Sequence, residues 1–222
     1  MSIYSTGAIG DHGMHAVVMA GGVGSRFFTE KGSGEKPMVE LCGRPLISYV
    51  IDTLKRSRSI SHIFVVTSPS VPQTREYVER HEDMKDVDVI PAPGLGYVGD
   101  MVHGIHAAAI REPVLVIMSD LPLITPGMID KIVSIYEERA EPALSVHTPL
   151  SVCKKLGQRP TTVFNRNGEL IVPCGINILD GRLIDEEQPD FNLILSDLEV
   201  VLNVNTVEDL KRCERILLER SG

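Results

Sequence analysis

The chain has 222 residues, 43% hydrophobic and 23% charged, with a formal net charge of −8. That length can bury a sizeable core, and the acidic balance excludes a broad electrostatic nucleic-acid binder while permitting a local basic cleft for a nucleotide. No apolar run is long enough to cross a bilayer and no basic-plus-apolar leader opens the chain, so Cys42, Cys153, Cys174 and Cys213, which form no C-x-x-C pair, read as reduced thiols of a cytoplasmic protein.

Residues 1–13, MSIYSTGAIGDHG, lack periodicity and read as a flexible tail, leaving 14–222 as a single domain; Met14 is an alternative start. Apolar runs rich in β-branched residues predict strands at 15–20, 62–67, 87–90, 114–118 and 143–147. Helical spacing predicts helices between them at 46–57, 72–82, 99–110 and 126–139. Pro45 or Leu46 opens the first, Ser70 with Pro72 and Gln73 the second, and Thr125 with Pro126 caps the fourth. Continuous apolar strands separated by crossover helices imply an α/β fold, with a mostly parallel twisted sheet covered by helices on both faces. The pattern changes after Pro149. LGQRP at 156–160 reads as a loop, and TTVFNRNGELIVPCGINIL as a β-hairpin appended in the C-terminal third. A strand over 198–204 then precedes a helix from about 207 to 220, where Thr206 and Asp209 stand in capping-box relation.

The first strand runs into HAVVMAGGVGSRFFTEKGSGEKP, residues 15–37. Gly21, Gly22 and Gly24 let the backbone turn sharply and bring N–H groups close to an anion, at the sheet edge where open α/β folds bind ligands. Arg26 and Lys36 can neutralise phosphate charge, and Pro37 biases Lys36 toward an extended conformation. The spacing to Lys36 is too long for G-x-x-x-x-G-K-[ST], and Phe27 fills the third glycine position of G-x-G-x-x-G. In VLVIMSDLPLITP, Asp120 ends a buried strand and is a candidate Mg²⁺ ligand, since that ion takes one or two carboxylates plus substrate phosphate oxygens. Asn205, directly after an apolar run, is a second candidate metal ligand. Glycine loop, two cations and a carboxylate together suggest in-line attack on a nucleoside triphosphate, with pyrophosphate departing. No Ser/His/Asp or Cys/His arrangement stands out.

The motifs MAGGVGSR…EKP, SDLP and NVNT-x-ED resemble those of the Rossmann-like, MobA-like nucleotidyltransferases, from Met14 onward. EKPMVELCGRPLISYVID, IFVVTSPSVPQTREYV, GLGYVGD and PCGINIL are similar to the archaeal-type GTP:adenosylcobinamide-phosphate guanylyltransferases within that superfamily. The resemblance implies transfer of GMP from GTP to a corrinoid phosphate acceptor, with Mg²⁺ as the divalent cation. It further implies that Ala20, Gly21, Gly22, Gly24 and Ser25 line the triphosphate and that Arg26, Lys36 and Asp120 are catalytic. Thr67, Ser68 and Pro69 would border guanine and ribose, Gly94, Gly96 and Tyr97 would close over the nucleotide, and Gly175 and Asn177 would border the acceptor. Phe27-Phe28 replaces the methionine-glycine common in some relatives, which leaves residues 27–34 open.

Other residues read more plainly. His103 and His106 are expected to be exposed or satisfied on a helix, and Glu186, Glu187 and Asp190 to form a solvated acidic loop. Met38, Met101, Met118 and Met128 read as packing residues. Rival readings are a guanylyltransferase for molybdopterin or phospholactate, a sugar-phosphate nucleotidyltransferase, and a nucleotide-binding sensor. A homodimer through the hairpin or the last helix stays open.

Overall fold

The computed structural model describes residues 13–28 and 34–221, so the expected tail, Gly13 excepted, lies outside the described residues. β1 (Met14–Met19) ends in the glycine loop and is followed by the one-turn helix α1 (Ser25–Phe28). A 3-10 turn, Lys36–Met38, then leads into β2 (Glu40–Leu41) and β3 (Arg44–Pro45). Next come α2 (Leu46–Arg56), β4 (Ile60–Thr67), α3 (Pro72–Arg80), β5 (Val87–Pro91), α4 (Tyr97–Ala107) and β6 (Pro113–Met118). They are followed by α5 (Pro126–Glu137), β7 (Ala143–Pro149), α6 (Leu150–Lys155), β8 (Phe164–Arg166) and β9 (Glu169–Asp180). The last elements are β10 (Asp190–Ile194), α7 (Leu198–Val201) and α8 (Val207–Ser221).

The main sheet runs β10-β7-β9-β6-β1-β4-β5, with β8 paired to β9. β1 lies parallel between β4 and β6, and β4 is parallel to β5, as the continuous apolar runs require. Alternation along β1 feeds both faces. Ala16 and Val18 join the core of α2 and α5 with Ile47, Val50, Ile129 and Ile132, whereas Val17 and Met19 join Met101 and Ile105 of α4. α4 packs closely at Gly104, where an added Cβ would lie 2.4 Å from Val66 Cγ2. Local chemistry also sets the helix starts. Thr125 Oγ1 accepts from Met128 N at 3.3 Å, and Asp209 and Thr206 cap reciprocally at 3.0 and 3.1 Å.

Five expectations need correction. Residues 198–204 are not a strand: β6 already has β1 and β9 on its two edges, leaving no slot beside it. One helical turn instead sends Val200 and Val201 into the main core, and Leu202 and Val204 into a third cluster with Phe27, Leu41 and Leu46. The acidic loop reaches only to Glu187, because Asp190 opens β10, which pairs in parallel with β7 while Phe191 lies under the Arg139 guanidinium. The hairpin forms, turning through Asn167 and Gly168, but it is more than an appendage, since β9 continues antiparallel between β6 and β7. Ser70 does not cap α3. The buried Glu35 carboxylate does, accepting from Gln73 N at 2.8 Å, Thr74 N at 2.6 Å and the Thr74 hydroxyl at 2.7 Å. Lys36 sits in the 3-10 turn rather than in an extended segment; the extended residue is Glu35.

Candidate active site

The glycine loop is pinned from three sides at the carboxyl edge of the sheet. Ala20 N donates to Val66 O at 2.9 Å, the Ser68 hydroxyl to Gly21 O at 3.0 Å, and Lys36 N to Gly22 O at 3.2 Å. Gly24 has φ +63, and an added Cβ there would stand 2.9 Å from Lys36 Cβ. Glycine is therefore required at this position by both conformation and space. Phe27 anchors the far side of α1 in the third cluster, with Phe28 at 5.2 Å between ring centroids. Residues 29–33 and the Arg26 side chain lie outside the described residues; the Arg26 backbone follows Ser25 in α1.

The expected partners of the loop converge here. The Lys36 ammonium donates to Asp120 Oδ2, and to Asn205 Oδ1 at 2.8 Å. Both members of the ion pair are largely shielded, with side chains 14% and 7% exposed. Asp120 hangs just past the end of β6, where Ser119 N donates to Met19 O at 3.2 Å. Asn205 is brought in because Val204 N donates to Asp120 O at 2.9 Å and Asn205 N to Asp209 Oδ2 at 3.2 Å. A cavity of about 260 Å³ opens over this cluster, lined by Gly22, Gly24, Ser25, Lys36, Asp120 and Asn205 among others. Asp120 Oδ1 is buried with no hydrogen-bond partner among the described residues. That orphaned oxygen and the Asn205 carboxamide oxygen are hard donors that fit a divalent cation such as Mg²⁺, which completes its shell with waters and phosphate oxygens.

A second group of expected residues gathers farther along the same edge. Pro69 touches Gly94, whose added Cβ would stand 3.2 Å from Pro69 Cδ, so the loops after β4 and β5 meet. Thr67 is buried, and its hydroxyl has no hydrogen-bond partner among the described residues. Gly96 precedes α4 with φ 89, and Tyr97 begins the helix partly exposed. The Asn177 side-chain amide donates to the Tyr97 hydroxyl at 3.5 Å, and Gly175 abuts Met118 at the end of β6. Met118 lines the Lys36–Asp120 cavity, which ties the two groups together.

Two residues of this edge escaped the sequence reading. Glu35 fixes the turn that carries Lys36, and its partners lie 38 and 39 residues away, beyond any local pattern. Asp100 is buried, and Oδ1 accepts from Gly94 N and Leu95 N, each at 2.9 Å. An acid in the first turn of a helix behind a Gly-x-Gly loop was the available signal for it. His106 is satisfied by Asp185 at 2.8 Å. Met101 and Met128 are buried in the cores, as expected.

The fold is that of nucleotidyltransferases. It matches CMP:2-keto-3-deoxy-manno-octonic acid synthetase complexed with CTP over 94% of this chain and 99% of that one, with TM-score 0.67 and 13% identity. The chain belongs to the MobA-like NTP transferase domain family, which matches residues 16–167. It is 35% identical to the adenosylcobinamide-phosphate guanylyltransferase of Methanocaldococcus jannaschii over 94% of this chain and all of that protein. It is also 32% identical to a probable molybdenum cofactor guanylyltransferase of Thermococcus kodakarensis over 90% of this chain and 93% of that protein. No helix among the described residues is long and apolar enough to cross a membrane.

Proposed function

We propose that the chain transfers GMP from GTP to adenosylcobinamide phosphate, releasing pyrophosphate. The observation that carries this reading is the full-length likeness to the M. jannaschii enzyme, joined to the convergence of Lys36, Asp120 and Asn205 at the glycine loop. A phosphate oxygen of the acceptor attacks the α-phosphorus of GTP in line, and the bond to the α,β-bridging oxygen breaks. The backbone of Gly21 to Ser25 follows the triphosphate, while Lys36 and Arg26 balance the charge that gathers on the departing pyrophosphate. Asp120 and Asn205 would hold Mg²⁺, which when bound neutralises phosphate charge. Thr67, Ser68 and Pro69 border guanine and ribose, and Gly94, Gly96 and Tyr97 cover the nucleotide. Gly175 and Asn177 border the seam between nucleotide and acceptor.

A second reading, molybdopterin as acceptor, is favoured by the likeness to the T. kodakarensis protein. Incubation of the protein with α-labelled GTP, Mg²⁺ and each acceptor in turn separates the two. Label should appear on adenosylcobinamide phosphate; label on molybdopterin alone would transfer the assignment to the second reading.

A further inference from the structure

Resting on the guanylyl-transfer reading, we propose that a second cavity beside the Lys36–Asp120–Asn205 cluster receives the phosphate monoester end of the acceptor, held by Thr148 and Arg212. The cavity measures about 960 Å³, bounded by β9, α6, the loop from Gly157 to Thr162 and the start of α8. It shares Ser25 and Asn205 with the glycine-loop cavity, so the two spaces adjoin at those residues. Small-molecule sites span about 300–1,000 Å³, so this space suits a substrate rather than a few waters.

Two polar groups on its wall call for a ligand. Thr148 is 1% exposed, and its hydroxyl has no hydrogen-bond partner among the described residues. One terminal nitrogen of Arg212, Nη1, is likewise buried without a hydrogen bond, 3.6 Å from Asp209 Oδ1. Buried donors are costly to leave unmet, and phosphate oxygens, which only accept, are matched to both. Four charged side chains line the cavity: Arg159, Arg212, Glu208 and Asp209. Asp209 Oδ2 is committed to the helix cap, accepting from Asn205 N, Thr206 N and the Thr206 hydroxyl, while its Oδ1 forms an ion pair with Arg212 Nη1. Arg159 and Glu208 are exposed at the rim, leaving Arg212 as the cation set into the wall. Cys153 and Cys174 are buried there with neutral thiols, since burial pushes both above their ordinary pKa, Cys174 to about 12. An anionic head on a larger, partly apolar body therefore fits this wall better than a free inorganic ion.

An oxygen of the phosphate dianion held here forms the new bond to the α-phosphorus of GTP. The α,β-bridging oxygen leaves with the electron pair as pyrophosphate, and no proton need be removed from the nucleophile. Thr148 and Arg212 are thus acceptor-binding groups, whereas the glycine loop and Lys36 serve the donor.

Kinetics of wild type, Thr148→Val and Arg212→Lys with adenosylcobinamide phosphate varied and GTP saturating test the assignment. Thr148→Val is close to isosteric and keeps the test valid should Arg212→Lys disturb the cap of α8. Acceptor KM should rise about tenfold or more, while the GTP dissociation constant, by calorimetry, moves less than about twofold. Adenosylcobinamide, which lacks the phosphate, should bind wild type and variants alike. An unchanged acceptor KM in the folded Thr148→Val protein, or an equal loss of affinity for the phosphate-free corrinoid, would overturn the proposal. Wild-type transfer to molybdopterin instead would remove the corrinoid acceptor, and the same KM comparison with molybdopterin would still decide the cavity.

Discussion

Lys36 and Asp120 form a shielded ion pair between groups 84 residues apart, and Lys36 also donates to Asn205 Oδ1 at 2.8 Å. Breaking a buried pair leaves an uncompensated charge, a larger effect than the net worth of the pair. Lys36→Met should therefore lower stability by about 3 kcal/mol in urea unfolding. Lys36→Met combined with Asp120→Asn should lose distinctly less than the sum of the two single variants. Strict additivity would show that the two side chains do not share the site as described. Gly24 and Asp120 were legible because each follows the abrupt end of an apolar run, and Lys36 because it is a cation fixed before Pro37 just behind the glycine loop. Glu35 was not, because its carboxylate serves the N–H groups of a helix that starts after the next main-sheet strand.

At the scale of elements, packing and propensity oppose each other at Gly104. Alanine favours a helix interior over glycine by about 1 kcal/mol. Its Cβ would meet the stiff, buried Val66 side chain at 2.4 Å, and overpacking of this kind costs about 1–3 kcal/mol. Gly104→Ala should thus be net destabilising, with a lower urea midpoint; a raised midpoint would mean that α4 can move off β4 freely. The strands β1, β4 and β6 were readable from continuous β-branched runs. β10 was hidden because DFNLI is only five residues long and opens with Asp190, which reads as the end of an acidic loop, and α7 was hidden by a run apolar enough for a strand. Whether such a run pairs depends on which sheet edges are free, and that is a property of topology rather than of the run itself.

For the molecule as a whole, the buried titratable groups predict a stability plateau near neutral pH that falls on both sides. Burial holds the His147 imidazole below its ordinary pKa, so its share of stability is present above the unfolded value of about 6.5 and is lost as pH falls below that toward the lower folded pKa. Burial raises Cys174, Cys213 and Tyr136 to about 12. Their share is present below the unfolded values, about 8.5 for Cys and 10 for Tyr, and is lost as pH rises toward 12. Urea midpoints should fall between pH 8.5 and 10.5, and less steeply in Cys213→Ala; an alkaline limb unaffected by that change would contradict the assignment. The mostly parallel sheet and its two helical layers, the glycine loop and the convergence of Asp120 and Asn205 beside it were legible along the chain. The capping carboxylates and the second cavity were not, because they arise only where distant segments meet. Whether this sheet edge grips a nucleoside triphosphate is decided by calorimetric titration with GTP, ATP, CTP and UTP in the presence of Mg²⁺. GTP should bind in the micromolar range and at least about tenfold more tightly than the other three, a margin of about 1.4 kcal/mol; no binding of GTP at millimolar concentration, or a preference for another base, would contradict the account.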